Sequence, residues 1–366
     1  MSTESSGRLV SLDVFRGLTI AAMIVVNYPG SWEHVYAPLL HKPWHGITPT
    51  DLIFPFFLFI MGVSIALAYE KRIAKGVPKK EMLRKILFRG LKIFAVGIFL
   101  NLWHEFDFSE LRVAGVLQRI ALVFVTSALL FIFTGWKSQA VLGGLILIAY
   151  WAAMMFIPTP GYGQPMLEPG INLAAWVDSF LLPGRMWQGT WDPEGLLSTL
   201  PAMATGITGM LTGKILLAKT QGEQKTLWMF LTGFLAFIAG YAWSWIFPLN
   251  KPIWSSSYVL LTSGLASMTL ATCYFLIDLQ KKTCCTRPWV VLGSNAIAVY
   301  VLAGLLSWFF RGISLGKGAL VFYAFQWLTD VGMAPKPASL LLALAYLGIL
   351  FIPARILFRK KIFIKL

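Results

Sequence analysis

The sequence predicts an all-α fold, a polytopic membrane bundle of about ten transmembrane helices. Hydrophobic residues make up 57% of the 366 residues, and the mean hydropathy is +0.70, well above that of an ordinary soluble domain. The apolar residues are gathered into stretches of roughly 20, the length that crosses a bilayer core of about 30 Å as a helix. No soluble domain, low-complexity tract or short-period repeat is visible, so a single membrane domain over residues 1–366 is expected.

The apolar stretches give ten predicted spans. In chain order they cover residues 12–30, 52–70, 87–103, 113–134, 139–157, 195–217, 227–247, 257–278, 289–310 and 339–358. A further apolar stretch at 319–329 is only about 16 Å long as a helix, which is too short for an ordinary crossing. We expect this stretch to be re-entrant or interfacial, and the role of residues 319–338 stays open.

The distribution of Lys and Arg predicts the topology. The formal net charge is +15, and the basic residues concentrate in alternate loops, as in the cytoplasmic loops of membrane proteins. They cluster at residues 71–85, 214–225, 281–287 and 359–365. An eleventh span would place the basic C-terminal tail outside, so ten spans with both termini in the cytoplasm are favoured. The charge therefore points to loops that set the topology in a membrane rather than to nucleic-acid binding. A bacterial inner membrane is the expected location.

Neither the cysteines nor the histidines predict a metal site. The three cysteines lack CxxC spacing and lie near a loop assigned to the cytoplasm, so no disulfide framework is expected. Several potential ligands share one loop, but their spacing matches no zinc signature. They are His34, His41, His45 and Asp51.

Polar residues inside the first predicted span need a partner or a function, because a charge in the bilayer costs roughly 2.5–3.5 kcal/mol on insertion scales. Asp13 and Arg16 stand three residues apart and can pair on one helix face. A structural ion pair and a role in binding an acyl donor are equally open. Asn27 lies about three turns after Arg16; it either bonds a neighbouring helix or serves the polar loop that follows.

Later spans carry further polar residues. Gln118 and Arg119 enter the fourth span, and Arg119 needs a partner at that depth. Asp192 and Glu194 are among the carboxylates on the same side of the membrane. Asn295 follows a Gly-Ser pair in the ninth span, where small residues allow close helix contact and the amide also suits a ligand pocket.

His41 is the candidate for acid–base chemistry. Imidazole takes up and returns a proton near neutral pH. Asp51 lies ten residues later, at the start of a span, and its carboxylate can hold the second ring nitrogen of His41. A loop histidine is also often solvated surface, and His34 and His45 fit that description better.

Five motifs stand in the order SLDVFRGLTIAAMIVVN, HxxWxGxTxxDLIFPFFLFIMG, GVLQRIALVF, DPEGLLSTLPA and GSNAIAVYV. Together they resemble the membrane domain of the heparan-alpha-glucosaminide N-acetyltransferase family and its bacterial relatives, within the transmembrane acyltransferase superfamily. The resemblance implies an enzyme that moves acetyl groups from cytoplasmic acetyl-CoA to an amino sugar, such as glucosamine, or a related glycan on the other side of the membrane. It also implies that His41 is the active histidine, Asn27 the active-site asparagine and Asp51 the loop aspartate. His45 departs from the family, which usually has asparagine there.

On this interpretation the polar residues divide between two substrates. Acetyl-CoA, whose phosphates need cations, is assigned to Arg16, Arg89, Lys92, Gln118, Arg119 and Asn295. The acceptor is assigned to Trp44, His45, Asp192 and Glu194. Direct transfer and an acyl-enzyme intermediate both stay open, as does a homodimer. An amino-sugar transporter and an assembly subunit of an envelope complex are the rival functions.

Overall fold

The computed structural model describes residues 9–103, 106–316 and 318–364, and these residues are mostly helical. The helices are α1 (Val10–Asn27), α2 (Ile53–Ala74), α3 (Lys79–Leu102), α4 (Val116–Phe133), α5 (Trp136–Phe156), α6 (Leu173–Leu181), α7 (Leu196–Leu217), α8 (Gly222–Trp243), α9 (Ser256–Cys273), α10 (Arg287–Ser294), α11 (Ala296–Ser307), α12 (Leu320–Asp330) and α13 (Pro335–Arg359). Two short strands, β1 (Ser314–Leu315) and β2 (Gly318–Ala319), pair antiparallel. The all-α prediction is confirmed. The ends assigned to the cytoplasm, residues 1–8 and 365–366, lie outside the described residues.

The protein is an integral membrane protein. Among the described residues, eight helical segments are long and apolar enough to cross a membrane, and a ninth is obtained if α10 and α11 count as one span. These nine correspond to nine of the ten predicted spans. The remaining predicted span, the third in chain order at 87–103, lies on α3. The first fourteen residues of α3 hold seven charged side chains. The prediction there rested on the apolar second half of the helix. The stretch at 319–329 forms the eleven-residue helix α12.

The ninth predicted span, 289–310, is broken rather than continuous. α10 and α11 meet at Asn295 with a bend of 79°. The Asn295 side chain donates to the carbonyl oxygen of Ile362 at 3.1 Å and accepts the N–H of Ile364 at 2.8 Å. These bonds to the C-terminal segment support the break, because non-helical backbone at membrane depth is tolerated where it is buried in protein.

Close packing at two glycines fixes the positions of α1 and α2 in the bundle. A Cβ atom added to Gly62 of α2 would lie 2.1 Å from the backbone oxygen of Gly206 on α7, and one added to Gly293 of α10 would lie 2.0 Å from the backbone oxygen of Asp13 on α1. Only glycine permits so close an approach between helices. The first contact fixes α2, and the second holds the Arg16 end of α1 beside α10.

Candidate active site

The loop before α2 holds His41 against Asp51. Asp51 lies in a 3-10 turn, Pro49–Leu52, that leads into α2, and it is only 1% exposed. Its Oδ1 lies 2.7 Å from Nδ1 of His41. Because an ionised carboxylate only accepts hydrogen bonds, this contact places the proton on Nδ1 and leaves the lone pair on Nε2 of His41. The structure thus brings these two sequence-predicted residues into contact.

Asp51 is held by several donors besides His41. Its Oδ2 accepts the N–H of Lys42 at 3.1 Å, the N–H of Thr48 at 3.0 Å and the Thr48 hydroxyl at 3.1 Å. The bond from the Thr48 N–H is the carboxylate half of a capping box at the start of the 3-10 turn. Tyr258 of α9 donates its hydroxyl to the backbone carbonyl oxygen of Asp51. The carboxylate is therefore held in place as an acceptor.

Lys251 is the third member of this cluster, and the motifs did not point to it. Its Nζ lies 3.0 Å from Nδ1 and 3.3 Å from Nε2 of His41, and 3.7 Å from Oδ1 of Asp51. It comes from the loop between α8 and α9, 210 residues after His41. The one signal in the sequence was a lysine in a loop, 244–255, that has no other cation.

These side chains face a cavity of about 590 Å³, here called the outer cavity. His41, Asp51 and Lys251 line it, as does Asn27, the last residue of α1. The His41 side chain is 45% exposed, so its ring is accessible from the cavity. Large aromatic residues form much of the remaining wall, among them Trp32, Trp187, Trp191, Trp254 and Tyr300.

Two carboxylates assigned to the acceptor, Asp192 and Glu194, are paired with Arg112. Asp192 accepts from Nε and Nη2 of Arg112 at 2.7 and 2.6 Å, and Glu194 accepts from Nη2 at 2.6 Å. Burial opposes the ionisation of Asp192, but the Arg112 guanidinium outweighs it, and the pKa of Asp192 falls below its usual value. Glu194 also lines the outer cavity. Asp192 is engaged with Arg112 and with the N–H of Trp187 at 3.0 Å.

Trp44 and His45, also assigned to the acceptor, lie behind the residues that line the outer cavity. Neither is among the described residues that line the outer cavity. The Trp44 ring packs edge-on against Trp191, with centroids 5.2 Å apart. Nδ1 of His45 lies 3.3 Å from Nδ2 of Asn250, and burial lowers the pKa of His45.

A second cavity of about 230 Å³, here called the inner cavity, lies toward the opposite end of α1 and α2. Arg16 and Arg89 both line it. Arg16 pairs with Asp13 at 3.1 Å and donates from Nη2 to the Ser64 hydroxyl at 2.7 Å. The ion pair considered from the spacing of Asp13 and Arg16 is thus present, and it stands at the cavity wall. The Arg89 guanidinium lies 4.7 Å from the centroid of the Phe124 ring.

The two cavities follow one another along α1. Arg16 lines the inner cavity and Asn27 the outer one, and eleven residues of helix separate them by about 16 Å. Among the described residues, three apolar side chains line both cavities: Phe57, Ile120 and Ile297. They form a thin partition between the outer cavity, which holds His41, and the inner cavity, which holds Arg16 and Arg89.

Comparison with known proteins connects this geometry to a family. The family model for heparan-alpha-glucosaminide N-acetyltransferase, catalytic, matches residues 8–239, which is more than half of the chain. The match contains Asn27, His41 and Asp51, together with Arg16 and Arg89. The chain belongs to this family. The resemblance inferred from the five sequence motifs is confirmed.

Two mammalian relatives have the same name. Heparan-alpha-glucosaminide N-acetyltransferase of Mus musculus is 27% identical over 354 aligned positions, which cover 81% of this chain and 53% of the mouse protein. The Homo sapiens protein is 28% identical over 415 aligned positions, which cover 98% of this chain and 60% of the human protein. The chain therefore spans between half and two thirds of the length of these relatives.

The sequence analysis assigned six residues of this family member to acetyl-CoA. Three of them are not among the described residues that line the inner cavity: Lys92, Gln118 and Arg119. Lys92 lies over an aromatic ring of its own helix, and Gln118 is buried. Arg119, fully buried, donates from Nη2 to the carbonyl oxygen of Gly195 at 3.2 Å and to the Ser198 hydroxyl at 2.5 Å. Neutral oxygens thus accept its hydrogen bonds, whereas the sequence suggested a carboxylate.

Asn295, the remaining residue assigned to acetyl-CoA, lines the inner cavity. Its amide is occupied by the C-terminal segment, and Ile364 of that segment lines the same cavity. Asn295 therefore shapes the cavity through the broken helix. Within the described residues, no group of three or more His, Cys, Asp or Glu side chains is placed to hold a metal ion.

Proposed function

We propose that this chain is a membrane acetyltransferase that moves the acetyl group of acetyl-CoA to the amine of an amino sugar or of a glycan that carries one. The observation that carries the proposal is the arrangement of the two cavities. His41 and Asp51 face the outer cavity, Arg16 and Arg89 face the inner one, and a thin apolar partition lies between them. This arrangement suits two substrates that approach from opposite sides of a membrane. Membership of the heparan-alpha-glucosaminide N-acetyltransferase family supports the same reaction.

The inner cavity suits the acyl donor. The phosphates of CoA bind guanidinium groups through charge-assisted hydrogen bonds, and Arg16 and Arg89 supply two such groups. A volume of about 230 Å³ is below the roughly 300–1,000 Å³ of a ligand pocket. The cavity therefore takes the pantetheine arm and its thioester, and the nucleotide end of CoA stays at the mouth beside the exposed Arg89.

His41 supplies the proton chemistry. In direct transfer, Nε2 of His41 removes a proton from the acceptor amine as the amine nitrogen attacks the thioester carbonyl carbon. The tetrahedral intermediate then breaks its C–S bond, and the CoA thiolate takes up the proton that His41 holds. In the alternative route, Nε2 attacks the thioester carbonyl carbon and the CoA thiolate leaves. The amine then attacks the acetyl carbon, the bond from that carbon to Nε2 breaks, and the amine proton passes to the thiolate. Both routes yield an amide and the CoA thiol, and Asp51 orients the ring in each.

The outer cavity suits the acceptor sugar. Asn27 lines it and has an amide N–H to donate to the acetyl carbonyl oxygen. Exposed indole rings of Trp32 and Trp187 provide flat surfaces of the kind on which sugar rings stack. The Glu194 carboxylate accepts hydrogen bonds from hydroxyl or ammonium groups.

The basic loops indicate which side each substrate uses. The inner cavity lies toward the end of α2 and the first half of α3, and the basic cluster at 71–85 covers the adjoining ends of these helices and their connection. By the positive-inside rule this side is cytoplasmic. Acetyl-CoA then enters from the cytoplasm and the acceptor from the opposite side. In a bacterial cell this corresponds to the inner membrane. With α3 as the tenth crossing, as the sequence predicted, both termini lie in the cytoplasm.

A transporter for amino sugars is the second candidate, and the broken pair α10 and α11 favours it. Helices interrupted within the membrane are typical of transporter substrate sites. Two cavities separated by a thin partition also suit alternating access. This function predicts glucosamine movement across a membrane without consumption of acetyl-CoA.

Turnover of acetyl-CoA by detergent-purified protein, with glucosamine as acceptor, tests the proposal. We expect the wild type to turn over acetyl-CoA and His41→Ala to do so at least about 10²-fold more slowly. The variant should keep the acetyl-CoA affinity and the melting temperature of the wild type. His34→Ala is the matched control, because His34 stacks on the Phe325 ring, 5.5 Å away, and does not line either cavity in the described chain. A wild type that ignores acetyl-CoA but moves glucosamine into proteoliposomes would favour the transporter.

A further inference from the structure

Lys251 places an ammonium group over the face of the His41 ring. Its Nζ is 3.0 Å from Nδ1 and 3.3 Å from Nε2. A point almost equidistant from the two nitrogens and in the ring plane would collide with the carbon between them, so Nζ lies above the plane. The in-plane directions of both nitrogens therefore stay open, toward Asp51 at Nδ1 and toward a substrate at Nε2.

The carboxylate of Asp51 has hydrogen-bond donors other than Lys251. It already accepts four hydrogen bonds, from His41, Lys42 and Thr48. Nζ of Lys251 stands 3.7 Å from Oδ1 of Asp51, beyond ordinary hydrogen-bond length. An ammonium carries three N–H donors. Among the described residues, the atoms within that length of Nζ are the two nitrogens of His41, but Nδ1 carries a proton and the lone pair of Nε2 points along the ring plane, away from Nζ. At least one donor of Lys251 therefore remains for a ligand in the outer cavity.

A rigid turn holds Lys251 in place. The N–H of Asn250 donates to the Ser255 hydroxyl at 3.0 Å, and the Asn250 side-chain oxygen accepts the N–H of Ile253 at 3.0 Å. The Lys251 carbonyl oxygen accepts the N–H of Trp254 at 3.0 Å. Trp254 has φ +52°, in the left-handed region that a bulky residue adopts only where the surroundings impose it. Asn250, Trp254 and Ser255 are fully buried, so the turn is anchored in the protein while Lys251 faces the outer cavity.

The same turn is joined to the loop that carries His41. The carbonyl oxygen of Leu249 accepts the N–H of Gly46 at 2.7 Å. The side chain of Asn250 contacts the His45 ring at 3.3 Å. The position of Lys251 relative to His41 is therefore set by bonds between the two loops on either side of the contact.

The charge of Lys251 also fits a role in the cavity. Burial lowers the pKa of Lys251, and the carboxylates of Asp51 and Glu194 oppose this shift only in part. A cation in a cavity partly shielded from bulk water acts more strongly on a developing negative charge than a surface lysine does.

We propose that Lys251 is a catalytic residue, whose ammonium donates a hydrogen bond to the oxyanion that forms on the acetyl carbonyl. The inference rests on the acetyltransferase function proposed above. When a nucleophile attacks the carbonyl carbon, the π pair of the C=O bond moves to oxygen, and an N–H of Lys251 stabilises that charge. When the C–S bond breaks, the pair returns and the CoA thiolate leaves. Lys251 keeps its proton throughout, and its role is the same in both routes, because the carbonyl carbon is attacked beside Nε2 of His41 in each.

Kinetics of Lys251→Met, with purified full-length chain, acetyl-CoA and glucosamine, test the proposal. Loss of one oxyanion donor lowers kcat by roughly 10²–10³-fold, and we expect the KM for acetyl-CoA and the binding of acetyl-CoA to change less than about threefold. Lys336→Met, exposed at the start of α13, is the control and keeps its activity. Alkylation of Lys251→Cys with bromoethylamine restores a primary ammonium at nearly the length of lysine. It should raise kcat at least about tenfold, whereas the same treatment does not raise the activity of the wild type.

The outcomes separate this inference from the function on which it rests. An active wild type with a Lys251→Met kcat within about threefold would overturn the catalytic role and leave the acetyltransferase intact. A raised KM with unchanged kcat would overturn it too, because Lys251 would then bind the ground and transition states equally. If Lys251→Met does not fold, the comparison before and after alkylation within Lys251→Cys decides. A wild type that neither binds nor consumes acetyl-CoA would refute the proposed function, and the catalytic role with it.

Discussion

The hydroxyl of Tyr258 donates a hydrogen bond of 2.5 Å to the backbone carbonyl oxygen of Asp51. Tyr258 is fully buried on α9 and lies 207 residues after Asp51 in the chain. The bond ties the start of α2, where Asp51 holds His41, to a helix in the core of the bundle. The geometry of the site is thus fixed through the backbone of Asp51 as well as through its carboxylate.

Tyr258→Phe should therefore reduce both stability and activity. It leaves the buried carbonyl of Asp51 without its donor, at a cost of about 1–3 kcal/mol in the free energy of unfolding. Because the displaced residue orients His41, we expect kcat for acetyl-CoA to fall roughly tenfold. Tyr346→Phe is the matched control, since Tyr346 donates to Ala303 at 2.6 Å and is not among the described lining of the outer cavity. Thermal unfolding in detergent and turnover measure both effects, and equal activity of the two variants would contradict the link to the site.

Arg89→Gln should weaken the use of acetyl-CoA through its phosphates. Loss of a charge-assisted contact is expected to raise the KM for acetyl-CoA about tenfold with kcat unchanged. S-acetylpantetheine lacks these phosphates, so the variant and the wild type should use it equally well. Lys85→Gln on the same helix is the control, because Lys85 is 58% exposed and paired with Glu81. A similar loss with both donors would show that Arg89 acts on something other than phosphate.

Gly62→Ala should destabilise the bundle by forcing α2 away from α7. The added methyl group would meet the backbone oxygen of Gly206, and overpacking of this kind costs about 1–3 kcal/mol. Gly144→Ala on α5 introduces the same group where nothing lies within 4 Å. That control should be neutral or stabilising by up to about 1 kcal/mol, because alanine is the better helix former. Thermal unfolding compares the two, and equal melting temperatures would rule out close packing as the reason for Gly62.

The ionisation of Asp178 should make stability depend on pH. Burial raises the pKa of Asp178 to about 6, partly opposed by the N–H of Leu196, which donates to its carboxylate at 2.8 Å. Because the folded value lies above the reference value of 3.8, the folded protein binds this proton more tightly than the unfolded chain. The stabilisation is complete below the reference value and is lost as pH rises through the folded one. The free energy of unfolding of the wild type, relative to that of Asp178→Asn, should thus decline as pH rises from 3.8 through about 6. A difference that does not change with pH would contradict this prediction.

The sequence by itself determined the helices and the contacts between residues close in the chain. Membrane insertion depends on local composition, so the predicted spans 12–30 and 139–157 match α1 and α5 to within a few residues. His41 and Asp51 belong to one loop, and Asp13 and Arg16 to one turn of helix. In both pairs the spacing in the sequence was enough to predict the contact.

Only the tertiary structure decided which distant residues complete the site. Lys251 reaches His41 because the loop after α8 folds onto the loop before α2, and no local pattern encodes that contact. The break at Asn295 likewise depends on bonds to Ile362 and Ile364, more than sixty residues later. Hydropathy reports whether a residue prefers lipid or water, but it does not report which helices pack together. The choice of partners for buried polar groups follows from that packing and is settled only when the bundle closes.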